Sequence, residues 1–132
     1  MDIDGLMTVR SSHGVRETMD RLEADVRAHG LTVFARIDHA AGAEEAGLAL
    51  RPTELLIFGN AKGGTPLMQA AQTIGIDLPL KALAWQDAAG DIWLSWNSPQ
   101  WLAERHGLPR KGAAAAGLSA AIETMAKAAT AA

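Results

Sequence analysis

Cysteine is absent from the 132 residues, which excludes disulfides, thiolate zinc sites, iron–sulfur clusters and cysteine nucleophiles. A reducing compartment is compatible with that absence. Positive charge is not in excess either: 12 Lys and Arg stand against 15 Asp and Glu, a formal net charge of −3. The chain therefore lacks the cationic surface that supplies most non-specific affinity for nucleic acid, and no DNA or RNA partner is expected. Long apolar runs are missing too. The opening MDIDGLMTVR has neither the basic stretch nor the apolar segment of a secretion signal, and no run approaches the about 20 residues of a membrane span. The expectation is a soluble cytoplasmic protein with no membrane partner.

Catalytic and metal-binding motifs are equally sparse. The sequence contains no G-x-S-x-G elbow, no HExxH and no GxGxxG, the patterns that mark serine hydrolases, zinc proteases and dinucleotide sites. Its four histidines, His13, His29, His39 and His106, show no paired helical spacing, so neither a metal nor a cofactor is expected. FGNAKGGTP, residues 58–66, is glycine-rich between a strand and a helix. In a Walker loop, however, the lysine follows the second glycine, whereas Lys62 precedes Gly63 and Gly64.

What is present is a regular succession of elements. GLMTVR, residues 5–10, reads as a short strand. Val15, Met19, Leu22 and Val26 then recur at helical spacing, predicting a helix over about 14–29 that ends at Gly30. LTVFARID alternates Val33, Ala35 and Ile37 against Thr32, Phe34, Arg36 and Asp38, as in a strand with one buried face. After an irregular or briefly helical connection, TELLIFGN is apolar from Leu55 to Phe58, the pattern of a central strand covered on both sides. Thr65-Pro66 reads as a helix cap followed by proline at the first helical position, with Leu67, Ala70, Ala71 and Ile74 inward. Two strands, about 80–87 and 91–97, flank Ala88-Ala89-Gly90, a three-residue hairpin turn with glycine at its left-handed position. Ser98-Pro99 starts a short helix, and LPRKG links it to an alanine-rich helix over 113–132 whose last residues are expected to fray.

The order β-α-β-β-α-β-β-α-α with a tight hairpin predicts an α+β fold and an antiparallel or mixed sheet. Length bounds it to a single domain: residues 1–110 as the α+β unit, with 111–132 packed on or extending from it.

IDH at 37–39, TELLIFGN, KGGTP and KALAWQDAAGDIWLSW together resemble a bacterial family known as domain of unknown function 302. That resemblance covers about residues 5–108 and implies a curved, mainly antiparallel sheet with helices across it, like the TATA-binding protein. Ala61 stands where the family usually has proline. The resemblance assigns no reaction.

Three places offer chemistry. Asp38-His39 joins a carboxylate to an imidazole, the makings of a general acid/base pair or of an axial haem ligand, although neighbours in a strand point to opposite faces. Asp38 can equally cap the following connection, and extended geometry would bury His39 beside Ile37. Asn60 and Lys62 border the turn before a helix N-terminus, where an anion can be held. The hairpin, finally, sets Trp85 opposite Trp93, with Leu83 opposite Ser95 and Lys81 opposite Asn97 on the same face, while Ala82, Ala84, Leu94 and Trp96 form the core face. Aromatic residues beside Lys81, Ser95 and Asn97 suit either a subunit contact or a small-molecule pocket. The leading expectation is a ligand-binding or interaction domain that forms a homodimer through this second sheet face. The alternatives are a small enzyme using His39 with Asp38, and a haem-associated or redox protein.

Overall fold

The computed structural model describes residues 2–132. Strand β1 (Leu6–Arg10) leads into helix α1 (Val15–Ala28), whose Val15, Met19, Leu22 and Val26 are all buried. They lie on one stripe because their spacing follows the helical period. Thr18 is buried among them and bonds Ser11 side chain to side chain at 2.6 Å. Gly30, with φ +76°, ends the helix, and the Leu31 amide reaches back to the Val26 carbonyl.

The remaining elements are β2 (Thr32–Asp38), α2 (His39–Glu45), β3 (Thr53–Gly59), α3 (Ala61–Ala70), a 3-10 turn (Gln72–Ile76), β4 (Leu80–Gln86), β5 (Ile92–Asn97), α4 (Pro99–Arg105) and α5 (Ala113–Thr130). The five strands form one sheet in the order β1-β5-β4-β3-β2 with every pairing antiparallel. The α+β class is as the sequence reads. The strand at the centre is β4, not β3, and the two faces of β3 are unequal: Leu56 and Phe58 are buried, whereas Leu55 and Ile57 are only half-buried.

That inequality reflects the layering. The buried face of the sheet carries Leu56, Phe58, Leu80, Ala82, Ala84, Leu94 and Trp96 against Met19, Leu22 and Val26 of α1 and Ile122, Met125 and Ala129 of α5. A smaller cluster joins Leu67, Ile74, Leu102, Ala103 and Ala115 where α3 and α4 meet α5. Alanine along α5 allows these close approaches. The helix stops at Thr130, leaving Ala131 and Ala132 outside it, while Ala129 and Thr130 are buried and Arg21 donates to the carbonyls of Ala128 and Ala129 at 2.9 and 3.2 Å. A guanidinium there also complements the negative end of the helix dipole.

Two local readings are corrected by the geometry. The third helix begins at Ala61, four residues before Thr65. Asn60 is its N-cap, its side-chain oxygen accepting from the Gly63 amide at 2.8 Å, and Pro66 lies inside the helix. The alternation of β2 also breaks. Val33 pairs with Phe58 but Ala35 pairs with Ile57, so Phe34 is the extra residue of a β-bulge. Beyond it the faces exchange: Arg36 and Asp38 turn to the helix side, opposite Leu56 and Glu54, while Ala35 and Ile37 turn to the other.

Candidate functional site

The hairpin register is the one its turn dictates. Asp87 donates its amide to the Asp91 carbonyl, Gly90 adopts φ +92°, and Trp85 pairs with Trp93, Leu83 with Ser95, Ala84 with Leu94 and Ala82 with Trp96. The face opposite the helices thus carries Trp85, Trp93, Leu83, Leu55, Ile57, Ala35 and Ile37, with Lys81 and Asn97 nearer its far end. Every core contact of α1 and α5 lies on the other side. Ile37 remains 39% exposed and Phe34, at the bulge, 56% exposed.

Polar groups on this open face are largely satisfied within the chain. Trp85 Nε1 donates to Ser95 Oγ at 2.9 Å, and Ser95 Oγ is 2.9 Å from Thr8 Oγ1. Trp93 Nε1 donates to Asp87 Oδ2 at 2.9 Å, while Asp87 Oδ1 accepts from the Ala89 and Asp91 amides. The bond from Trp93, followed by those turn amides, holds the Asp87 carboxyl below the usual carboxylate range. Lys81 Nζ folds back on the Pro79 carbonyl at 3.1 Å, and Arg10 pairs with Asp91 at 2.7 Å. Half-buried hydrocarbon and indole groups thus share this face with exposed Ile37, Thr8, Arg10 and Asn97.

The other expected site residues are not assembled with this face. Asp38 caps α2 through the Ala41 amide at 2.9 Å and lies 3.7 Å from Arg16. His39 is the first residue of α2 and is exposed, with no bond to Asp38 among the described residues. The burial expected for His39 fails because the bulge has reversed the strand's parity and the chain turns into a helix at that residue. Asn60 and Lys62 sit at the opposite end of the β2–β3 pair, both exposed. No group of three or more His, Cys, Asp or Glu able to hold a metal is present among the described residues.

Two clefts lie elsewhere. One, of about 1020 Å³, is bordered by the start of α1, α2, the segment 48–53 and Gln86 and includes Asp38 and Glu54. The other, of about 250 Å³, lies between the bulge, α3 and α5 and includes Asn60. Neither is lined by Trp85, Trp93, Lys81 or Asn97.

Two ion-paired nodes escaped the sequence reading. Arg36, turned inward by the bulge, donates to Glu54 at 2.9 Å, Asp20 at 2.7 Å and Glu23 at 3.3 Å, tying β2 and β3 to α1. Burial works against its charge, yet the bonds to Asp20 and Glu54 outweigh that and raise its pKa. Asp77 accepts from Arg105 and, at 2.6 Å, from His106 Nε2, whose Nδ1 meets Thr73 Oγ1 at 2.9 Å. Burial opposes the Asp77 charge, but its bonds with His106 and Arg105 hold the carboxyl below its ordinary value. Only folding brings these partners together, so no spacing in the sequence announces them.

A five-stranded antiparallel sheet with helices on one face and an apolar, tryptophan-bearing open face defines the class: a small α+β domain with an uncovered sheet surface. The chain belongs to the family described as domain of unknown function DUF302, whose model matches residues 7–130. A crystal structure of an uncharacterised DUF302 protein from Bacillus stearothermophilus superposes with a TM-score of 0.76 at 23% identity, covering 97% of both chains. That likeness shows the fold. The chain is also 58% identical over 104 residues to proteins named fluoride-specific ion channel FluC 1 in Brucella suis and FluC 2 in Brucella melitensis. The match covers 79% of this chain but only 41% and 38% of those proteins. Among the described residues no helix is long and apolar enough to cross a membrane.

Proposed function

We propose that this chain is an interaction domain that pairs with a second copy of itself through the open face of its sheet. The observation that carries this reading is the half-buried apolar surface around Leu55, Ile57, Leu83 and the Trp85/Trp93 pair, left uncovered by α1 and α5. Isolated exposed apolar residues are ordinary, but a contiguous patch of them marks a contact surface. A two-fold axis through the face would set each patch on its own copy. Arg10 is paired with Asp91, and Lys81, beside Ile57, is bonded to the Pro79 carbonyl, which lowers the cost of desolvating these cations. Since neither cleft is lined by the tryptophan pair, a flat contact accounts for this face better than a pocket does. His39, exposed and outside both clefts, gives the acid/base reading no comparable support.

In this reading the fluoride conduction named for the Brucella proteins belongs to the part of them outside the match, the domain being a non-conducting appendage there. Sedimentation equilibrium across the micromolar range tests the assembly. A dimer is expected for the unaltered chain and a folded monomer for Ile57→Lys, which sets a second, unpaired charge beside Lys81 on the patch. A monomer throughout, or a dimer unaffected by Ile57→Lys, overturns the proposal.

A further inference from the structure

The turn from β3 into α3 encloses the smaller cleft, and the residues around it have a feature that packing does not explain. Gly63 and Gly64 lie inside α3, where glycine costs about 1 kcal/mol each relative to alanine. For Gly63 the reason is steric: an added Cβ would meet Leu118 Cδ2 at 2.9 Å and the Asn60 side-chain oxygen at 3.2 Å. Gly64 has no such reason. A Cβ there would make only ordinary contacts, 3.5 Å to Leu78 and 3.7 Å to Met68, and its φ is not positive. Glycine therefore stands where alanine would fit the fold, and what its missing side chain leaves open is the cleft of about 250 Å³.

We infer that this cleft is a binding site for a small, uncharged, mainly apolar molecule of one or two fused rings with one hydrogen-bond acceptor. Six separate parts of the chain build it: the bulge with Phe34, the end of β3, the inner side of α3 with Met68, the 3-10 turn with Gly75, Leu78 before β4, and Leu118 of α5. Its volume falls below that of pockets for drug-sized ligands, about 300–1,000 Å³, and above the about 150 Å³ that admits benzene. A fused bicycle fits between those limits. No charged side chain lines the cleft, and burying an unpaired charge there would be costly. The acceptor follows from the polar lining. Asn60 uses its side-chain oxygen on the Gly63 amide, which leaves its NH2 group as a donor, and the Thr65 hydroxyl lines the same space. Met68, an unbranched thioether, can adapt to an aromatic surface. This site is separate from the open sheet face and does not depend on dimerisation.

Quinoline, neutral above pH 7 and carrying a single acceptor nitrogen, is the probe, with 2-naphthoate as the charged bicycle of similar shape. Titration of the isotope-labelled full chain by NMR should give saturable shifts at the Gly59, Gly64 and Gly75 amides and the Met68 methyl. The expected Kd is on the order of a millimolar or tighter for so small a molecule. Binding of 2-naphthoate should be at least about fivefold weaker, reflecting the charge that the site cannot pair. Gly64→Ala supplies the decisive contrast. It should raise the melting temperature, because alanine favours the helix, and weaken quinoline about fivefold or more by occupying space. Asn60 and the sheet face are untouched by that change, so its effect reads the cleft alone. Absence of saturable shifts with quinoline, equal or tighter binding of 2-naphthoate, shifts centred on Trp85 and Trp93, or a Gly64→Ala chain that binds quinoline unchanged would each overturn the inference.

Discussion

The indole rings of Trp85 and Trp93 stand with centroids 6.3 Å apart and planes tilted by 31°, each fixed by its own N–H, Trp85 on Ser95 and Trp93 on Asp87. Asp87 thereby links the tryptophan pair to the hairpin turn. Asp87→Ala should remove both the Trp93 anchor and the turn's side-chain acceptor, lowering the melting temperature and the near-ultraviolet circular dichroism from the coupled rings. An unchanged aromatic signal would show that the rings are held by packing alone.

The start of α3 is testable by a pair of substitutions. Asn60→Ala should destabilise by about 0.5–2 kcal/mol in urea unfolding through loss of the cap. Thr65→Ala should stay within about 0.5 kcal/mol, as expected of an exposed position away from any cap. The reverse ranking would restore a helix beginning at Thr65.

Acid stability should report the node around Asp77. Its folded pKa is depressed, so the stabilisation it contributes is fully present above the unfolded carboxylate value of about 3.9 and is lost as pH falls through the lower folded value. Asp77→Asn should cost about 1 kcal/mol at neutral pH, given that Arg105 is half exposed. It should also flatten the stability profile below about pH 4. Urea midpoints measured between pH 2 and pH 7 would show this, and parallel profiles for the two chains would contradict it.

Arg36 and Glu54 should behave as a coupled pair. Removing the cation in Arg36→Ala leaves Glu54, 6% exposed, without its partner, and should cost about 2–3 kcal/mol after allowance for partial exposure of the arginine. Replacing both, as Arg36→Met with Glu54→Leu, should recover most of that loss, since a buried ion pair can be exchanged for hydrocarbon at little cost. A double-mutant cycle with no coupling would place the value of Arg36 in Asp20 and Glu23 instead.

The hairpin was readable because its information is local: Ala88-Ala89-Gly90 fixes the turn, and a period of two then assigns every side chain from Lys81 to Asn97 to a face. The stripe of α1 was readable for the same reason, as was the cap at Ser98, which accepts from the Trp101 amide. Thr65-Pro66 carries the same local signal as Ser98-Pro99 and fails, because the competing cap at Asn60 starts the helix a turn earlier. The bulge at Phe34 leaves no mark on an otherwise regular alternation; it exists only in the pairing of β2 with β3. His39 was misplaced through that hidden step. Asp77 and His106, 29 positions apart, meet only once the 3-10 turn and α4 have folded against each other.

That single unpaired residue in β2 also sorts chemistry between the two sides of the molecule. Were β2 to pair with β3 regularly, Phe34 would fall opposite Ile57, which would send Ala35 and Ile37 toward α1 and Arg36 and Asp38 outward. Glu54 would lose its counter-charge, and an edge of the hydrocarbon surface would become salt-bearing. The insertion acts as a half-turn twist in a two-sided ribbon, allowing one short strand to contribute an ionic clasp to the interior and an oily margin to the exterior.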